Sequence, residues 1–161
     1  MSRFKHIIEQ DPQQVQQQNL PPDWPTVFPK PIVGLDRDGV INIDRGHYLT
    51  DPDDWEPIPG SLEAIRMIRL KGYKVVILTN QGGITKKEQT HAQVEAIHQR
   101  MFEVFGNAGI YSIDGLFYAE SSLKDDYYAK PNLGMFHRTE KELFNNKIRF
   151  KDKGFYVGDK M

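Results

Sequence analysis

The sequence contains no cysteine, which excludes disulfide bonds, thiolate zinc sites and cysteine nucleophiles together. It also lacks any apolar run near the ~18 residues that a membrane-spanning helix requires, and the charged segment 1–10 has no apolar core of a signal peptide. Neither sign of charge is in excess, because 21 Lys and Arg face 22 Asp and Glu, for a formal net charge of −1. Without a global basic field, nucleic acid is not an expected partner. We therefore expect a cytoplasmic protein with no membrane partner.

The first 31 residues differ in composition from the rest of the 161-residue chain. Six glutamines fall between Gln10 and Gln18, and five prolines follow from Pro21 to Pro31. Such a stretch buries too little apolar surface to offset its ordering entropy. The sequence predicts an N-terminal arm over residues 1–31, extended or simply a flexible leader, and one domain over residues 32–161.

Strand and helix patterns alternate after Pro31. Apolar runs predict strands at residues 32–35, 73–78, 116–119 and 154–157. Helical spacing predicts a helix from Ser61 to about Gly72, a second opened by a capping box of Thr85 and Glu88, and a third between Asn132 and Phe144. This alternation is typical of an α/β fold with a mostly parallel sheet covered by helices on both faces.

Polar residues of chemical interest follow the predicted strands, where ligand sites of parallel sheets lie. Asp36 and Asp38 come directly after the first strand. Two carboxylates so close together need a neutralising cation or a proton, and oxygen ligands without cysteine favour Mg²⁺. The alternative is a surface turn, because Asp38-Gly39 is a common turn dipeptide.

The later strands are followed by groups that suit a phosphate. Thr79 and Asn80 precede two glycines and could cradle a phosphoryl group. Lys130 could supply a fixed ammonium, and Asp159 is a further carboxylate at a strand end. Each element alone is equally typical of a turn or a solvated surface residue, but the order of the four is specific.

Four segments resemble the motifs of the haloacid dehalogenase (HAD) superfamily of phosphohydrolases. They read DRDGVIN from Asp36, TNQGGI from Thr79, KPNLGMF from Lys130 and VGDK from Val157. The resemblance extends from about Pro31 to the last residue. It is strongest to the branch that contains D-glycero-D-manno-heptose 1,7-bisphosphate phosphatase and histidinol-phosphate phosphatase.

The resemblance implies a three-layer, Rossmann-like fold and an Mg²⁺-dependent phosphatase that acts on a small phosphorylated metabolite such as a sugar phosphate. Asp36 would be the nucleophile and Asp38 the general acid and base. Mg²⁺ would be held by Asp36, Asp159 and the backbone carbonyl of Asp38. Thr79, Asn80 and Lys130 would bind the phosphate.

A short flap at residues 43–55, with no separate cap domain, would select the substrate. The resemblance places Asp44, His47 and Tyr48 in this flap, and it implies that Lys160 lies beside the metal carboxylate and orients it. A substrate contact is favoured for His47 over a solvated loop position. His91, His98 and His137 lie on predicted helices and are expected at the surface.

The chain departs from the branch in three places. Residues 120–129 hold neither cysteine nor histidine, so the structural zinc of many relatives is not expected. Ala129 replaces the arginine with which those relatives bind a second phosphate. The acid, helix and strand that follow the VGDK motif in the family are not in this sequence, so the chain is either a natural minimal form or a truncated product. Unless a partner chain covers it, we expect a flank of the sheet without cover and a weaker hold on the metal.

Two other functions compete with a sugar phosphatase. A polynucleotide 3′-phosphatase also carries TNQ-x-G-I and KP-x-x-GM motifs, although Arg37 fits the sugar-phosphate branch better. A degenerate, non-catalytic HAD module that binds a partner through the N-terminal arm is the third hypothesis. The sequence does not indicate an oligomeric state.

Overall fold

The computed structural model describes the backbone of residues 3–5 and all of residues 30–160. Five strands form one sheet in the order β1-β4-β3-β2-β5. The strands are β1 (Arg3–Lys5), β2 (Ile32–Leu35), β3 (Lys74–Asn80), β4 (Gly115–Ala119) and β5 (Phe155–Val157). The helices are a 3₁₀ turn (Pro52–Asp54), α1 (Ser61–Leu70), α2 (His91–Asn107) and α3 (Gly134–Phe144).

The four strands from β2 to β5 are parallel, as the sequence predicts. Strand β1 is antiparallel to β4, with Arg3 opposite Tyr118 and Lys5 opposite Leu116. The sequence does not predict this strand, because three polar and aromatic residues before a glutamine-rich run carry no strand pattern. The remainder of the predicted arm, residues 6–29, lies outside the described residues.

Alternation along the buried strands produces three layers. Val75 and Ile77 of β3 pack on one face with α1 and α2, whereas Val76 and Leu78 pack on the other face with Met135 of α3. Successive side chains of a strand point to opposite faces, so a fully apolar strand serves two helical layers at once. The three-layer α/β architecture predicted from the sequence is confirmed.

The start of α2 differs from the prediction. The capping box is formed by Thr90 and Gln93, and the helix begins at His91. The predicted capping residue Thr85 lies in a turn, where its hydroxyl donates to the carbonyl of Glu120 at 2.7 Å. Gln89, just before the helix, is buried and donates to the carbonyl of Leu49 at 2.6 Å. Tertiary contacts thus hold residues 85–89 in turns, and the later of two capping sequences opens the helix.

Within residues 30–160, no helix has the length and apolar character needed to cross a membrane. The side chains of β5, at the edge of the sheet opposite β1, are 39–56% exposed, and Tyr156 is the least exposed of the three. The strand nevertheless positions the site, because the N–H of Asp36 donates to the carbonyl of Val157 at 2.9 Å.

Candidate active site

The parallel strands bring the predicted residues to one edge of the sheet. Asp36 follows β2, Thr79 and Asn80 are the last two residues of β3, Lys130 lies in the loop after β4, and Asp159 lies two residues after β5. Since these four strands are neighbours and run in the same direction, their carboxyl ends form a single cluster.

Asp36 and Lys130 form the centre of this cluster. The Lys130 ammonium lies 2.7 Å from Oδ2 of Asp36, and both side chains are largely buried. The backbone N–H of Arg37 donates to Oδ1 of Asp36 at 2.8 Å. Burial lowers the pKa of Lys130, although the neighbouring carboxylates, Asp36 first among them, oppose that shift. The pair places a largely buried carboxylate and a cation side by side.

The carboxylate of Asp38 is surrounded by hydrogen-bond donors. Arg37 donates to it from Nε at 3.1 Å and from Nη2 at 3.0 Å. Asn42 donates to Oδ1 at 2.9 Å and Gln81 to Oδ2 at 3.1 Å. Burial alone would raise the pKa of Asp38, but the Arg37 guanidinium and these amide donors hold that pKa below its usual value. Asp38 is therefore ionised in the absence of substrate.

Thr79 and Asn80 make contacts that the sequence does not reveal. The buried Thr79 hydroxyl accepts a hydrogen bond from Nε2 of Gln81 at 2.9 Å. The Asn80 carboxamide bonds to the backbone of Lys130 in both directions, donating to its carbonyl and accepting from its N–H at 2.9 Å each. The side chain of Asn80 thus fixes the lysine loop.

Asp159 approaches the loop after β2 at Gly39. Gly39 has a φ of +80°, and a Cβ there would lie only 2.2 Å from Oδ2 of Asp159. The Asp159 carboxylate therefore occupies space that any other residue at position 39 would fill. It also acts electrostatically on Lys130.

The donor set at this position fits a hard divalent ion. Asp36, Asp159 and the nearby Asp38 carbonyl offer only oxygen atoms, which Mg²⁺ prefers, and Mg²⁺ usually keeps several waters. Among the described residues, no group of three or more His, Asp or Glu side chains is arranged to hold a metal. A metal here would depend on two carboxylates, backbone and solvent.

Residues of the flap contact the segments that follow β5 and β3. The Asp44 carboxylate accepts from the Gly46 N–H at 2.9 Å and pairs with the Lys160 ammonium at 3.0 Å. The Tyr48 ring lies against Gly83 in the loop after β3. His47 is exposed, and its Nδ1 lies 3.2 Å from the carbonyl of Tyr48. Lys160 thus bonds a flap residue, whereas the resemblance implied that it orients the metal carboxylate.

The sequence misses a buried layer beneath Asp38. Arg37 is completely buried, with its Nη1 3.1 Å from Nε2 of His98 and its Nη2 3.2 Å from Oε1 of Gln81. The prediction that His98 lies at the surface is wrong, because it is fully buried on α2 and meets Arg37. This network of hydrogen bonds around Arg37 follows from tertiary packing. No local signal in the sequence distinguishes a buried arginine between two aspartates from an exposed one.

His91 is partly buried and His137 is exposed, and both contact neighbours outside the cluster. His91 lies 3.2 Å from the Glu120 carboxylate, and Nδ1 of His137 lies 2.8 Å from the hydroxyl of Tyr127.

A second residue missed by the sequence is Tyr156 of β5, whose hydroxyl bonds with the Lys130 ammonium. Burial, and then the charge of Asp36, raise the pKa of Tyr156 far above its usual value, so the hydroxyl keeps its proton.

The fold and its four loops define a domain of the HAD-like phosphatase class, and comparison with known proteins agrees. A solved HAD-like protein of Mesorhizobium loti matches with a TM-score of 0.71 and 30% identity over 83% of this chain and 66% of its own. The D,D-heptose 1,7-bisphosphate phosphatase of B. bronchiseptica, solved with magnesium and phosphate, matches with a TM-score of 0.63 and 31% identity over 69% of this chain and 62% of its own.

Sequence comparison identifies the family. Residues 31–161 match the profile of the family described as polynucleotide kinase 3 phosphatase. The D-glycero-β-D-manno-heptose-1,7-bisphosphate 7-phosphatase of Escherichia coli O6:H1 is 31% identical over 139 residues, 81% of this chain and 70% of that protein. The chain belongs to the polynucleotide kinase 3 phosphatase family, within the HAD-like phosphatases.

The chain spans about half the length of several curated relatives. It covers 42% of the heptose bisphosphate phosphatase of Pseudomonas aeruginosa, at 44% identity, and 56% of that of Neisseria meningitidis serogroup A, at 35% identity.

Proposed function

We propose that the domain is an Mg²⁺-dependent phosphatase that hydrolyses a small phosphorylated sugar through an aspartyl-phosphate intermediate. The observation that carries the proposal is the ion pair of Asp36 and Lys130 at 2.7 Å, next to the second carboxylate of Asp38. A nucleophile, a cation for the phosphoryl group and an acid–base residue are the three groups that this reaction requires.

Asp36 is the nucleophile. An Asp36 carboxylate oxygen forms a bond to phosphorus while the bond from phosphorus to the leaving alkoxide breaks, which gives an aspartyl phosphate. The bond from the Arg37 N–H to Oδ1 fixes the orientation of this carboxylate. Lys130 and the Thr79 hydroxyl stabilise the negative charge on the non-bridging oxygens, and Asn80 keeps the Lys130 backbone in register.

Asp38 transfers the protons. The approach of a phosphate group adds negative charge, which favours the protonated form of a nearby carboxyl, and that proton then passes to the leaving alkoxide. The regenerated carboxylate takes a proton from water, whose oxygen attacks phosphorus and releases Asp36 with inorganic phosphate. The donors from Arg37, Asn42 and Gln81 hold the carboxylate in the ionised form that this second step uses.

Asp36, Asp159 and the backbone carbonyl of Asp38 are the residues that would hold Mg²⁺. When bound, Mg²⁺ supplies positive charge that reduces the repulsion between the nucleophilic carboxylate and an anionic substrate. The magnesium and phosphate complex of the B. bronchiseptica relative supports this assignment.

The relatives named as heptose bisphosphate phosphatases support a sugar phosphate as substrate. Position 129 argues for a preference within that class. Ala129 is fully buried among apolar side chains of the α3 layer and offers no cation for a second phosphate. We propose that the substrate is a sugar monophosphate, or a sugar bisphosphate whose second phosphate is held without a cation at position 129.

The test is release of inorganic phosphate from a panel of sugar monophosphates, sugar bisphosphates and histidinol phosphate, with and without Mg²⁺. Asp36→Asn should abolish turnover. Asp152→Asn, an exposed aspartate in the turn before β5 that makes none of the contacts of the cluster, is the matched control and should leave turnover unchanged. Equal activity of the wild type and Asp36→Asn would refute the proposal.

The family profile supports a second candidate, a polynucleotide 3′-phosphatase. Assay of a 3′-phosphorylated oligonucleotide beside the sugar phosphates separates the two, because turnover on a nucleic acid should fall steeply as salt is raised. A third outcome, no turnover on either substrate class, would favour the non-catalytic module.

A further inference from the structure

Tyr156 lies at the centre of the cluster, although none of the four motifs contains it. Its hydroxyl oxygen accepts a hydrogen bond from the Lys130 ammonium. Lys130 is itself paired with the Asp36 carboxylate at 2.7 Å, and, after burial, the charge of that carboxylate contributes to the raised pKa of the Tyr156 hydroxyl. The ammonium therefore has two acceptors, the carboxylate of Asp36 and the phenol oxygen of Tyr156.

The ring of Tyr156 is held from several sides. The ring of Phe136 meets it edge-on, with centroids 5.3 Å apart and planes at 73°. The Lys130 ammonium lies 5.0 Å from the Tyr156 ring centroid. At Gly34 of β2, a Cβ would approach Cδ2 of Tyr156 to 3.2 Å, so the glycine leaves room for the ring. These contacts fix where the hydroxyl points.

Lys130 needs such a partner. Its side chain is a flexible four-carbon stem with a point charge at its tip, and Asn80 restrains only its backbone. Burial penalises the charged ammonium, and each additional acceptor offsets part of that penalty. Asp36 provides one acceptor and the Tyr156 hydroxyl another.

We propose that Tyr156 is a positioning residue that holds the Lys130 ammonium beside the Asp36 nucleophile, at the place where the phosphoryl group arrives. The inference rests on the proposed phosphatase function and assigns a role to a strand residue that lies outside the motifs. Without the phenol hydroxyl, the ammonium keeps its contact with Asp36 and loses its second acceptor.

Tyr156→Phe removes the hydroxyl and keeps the ring. Because small displacements of positioned groups reduce rates strongly, we expect kcat to fall about tenfold, while KM changes less than about twofold. Tyr127→Phe is the matched control, since the Tyr127 hydroxyl also bonds a side chain, that of His137 at 2.8 Å, outside the cluster. It should leave kcat unchanged. Thermal unfolding of both variants checks that each is folded at the assay temperature.

A double-mutant cycle with Lys130→Ala tests the route of the effect. If Tyr156 acts by positioning Lys130, Tyr156→Phe should lower kcat much less in the Lys130→Ala background than in the wild type. The inhibition constant of orthovanadate, measured on the same four proteins, should follow the same pattern. Tyr156→Phe should change it much less in the Lys130→Ala background than in the wild type.

The possible failures are distinct. Absence of Asp36-dependent phosphatase activity in the wild type would refute the proposed function. Asp36-dependent activity that Tyr156→Phe leaves unchanged would refute only the role of Tyr156. An equal tenfold loss with and without Lys130 would also refute it, because the hydroxyl would then act independently of the ammonium.

Discussion

The guanidinium of Arg37 is completely buried and binds the carboxylate of its chain neighbour Asp38 through both Nε and Nη2. Neighbouring residues seldom form such a pair, because their side chains usually diverge. Here Nη2 also donates to Gln81, and the remaining nitrogen, Nη1, bonds His98, so that the arginine joins β2, α2 and the loop after β3 beneath the candidate acid–base residue.

Removal of the guanidinium should be strongly destabilising. Arg37→Ala leaves the Asp38 carboxylate largely buried without its charged partner, and loss of one partner from a buried ion pair typically costs about 3–5 kcal/mol. The free energy of unfolding of Arg37→Lys should lie between those of the wild type and of Arg37→Ala, because an ammonium cannot reproduce the two-nitrogen contact. Urea unfolding measures the free energy of unfolding. A loss below about 1 kcal/mol, as for a surface pair, would contradict the buried network.

The stability of the fold should decrease in acid partly through Asp38. Against the effect of burial, the Arg37 guanidinium and the amide donors hold the pKa of Asp38 in the folded chain below its ordinary value of 3.8. A lowered pKa contributes stability above the unfolded pKa, and this contribution is lost as the pH falls through the folded pKa. At pH values under about 5, the free energy of unfolding should thus decrease as the pH is lowered. This decrease should be less steep in Asp38→Asn. Identical pH profiles of the two proteins would contradict the shift.

Gly39 and Gly46 offer a matched pair of substitutions. Both have positive φ, +80° and +76°, but a Cβ at Gly39 would meet the Asp159 carboxylate at 2.2 Å, whereas one at Gly46 would meet nothing within 4 Å. Gly46→Ala should cost only the backbone strain of about 1–2 kcal/mol. Gly39→Ala should cost more and should also weaken the Mg²⁺ dependence of activity, because Asp159 must move. Equal effects of the two changes on stability and on the Mg²⁺ titration would contradict this.

The start of α2 at His91 allows a further comparison, between Thr90 and Thr85. Thr90 caps the helix through the N–H of Gln93, so Thr90→Ala should cost about 1 kcal/mol of unfolding free energy. The exposed Thr85 hydroxyl bonds only the Glu120 carbonyl among the described contacts, and Thr85→Ala should cost about half as much. Chemical denaturation ranks the two variants, and the reverse order would restore the predicted capping box of Thr85 and Glu88.

Loss of the ion pair of Lys160 and Asp44 should alter substrate binding through the flap rather than the free energy of unfolding. The two side chains are 74% and 30% exposed, and exposed ion pairs typically contribute less than about 1 kcal/mol. Lys160→Ala should raise KM about two- to fivefold with little change in kcat, since uniform binding is what is lost. High salt should reduce the difference from the wild type. Lys151→Ala, an exposed lysine elsewhere, is the control. A large fall in kcat with constant KM would place Lys160 at the reacting groups instead.

The sequence predicts the sheet well because its four parallel strands are short apolar runs that end in polar residues. Val75 to Leu78 are apolar without interruption, which indicates burial on both faces, and the structure buries all four. Because parallel strands end at one edge, the cluster of Asp36, Lys130 and Asp159 could be anticipated from their order alone. The start of α2 could not, because two capping sequences five residues apart compete and tertiary contacts of Gln89 decide between them.

The partners of each candidate residue were not predictable. An arginine between two aspartates is usually solvated, and the burial of Arg37 depends on His98, which is 61 residues away in the chain. Tyr156 likewise resembles an ordinary strand residue until the fold places its hydroxyl at Lys130. Such contacts arise from packing between elements, which local sequence patterns do not encode.

The two hydrogen bonds between the Asn80 carboxamide and the Lys130 backbone give position 80 a chemical requirement of its own. The side chain imitates a peptide group, offering one donor and one acceptor to a main chain 50 residues away. An aspartate has nearly the same shape, yet it would set a second oxygen against the Lys130 carbonyl and replace an attraction by a repulsion. The isosteric replacement of Asn80 by aspartate is therefore among the least neutral at this position.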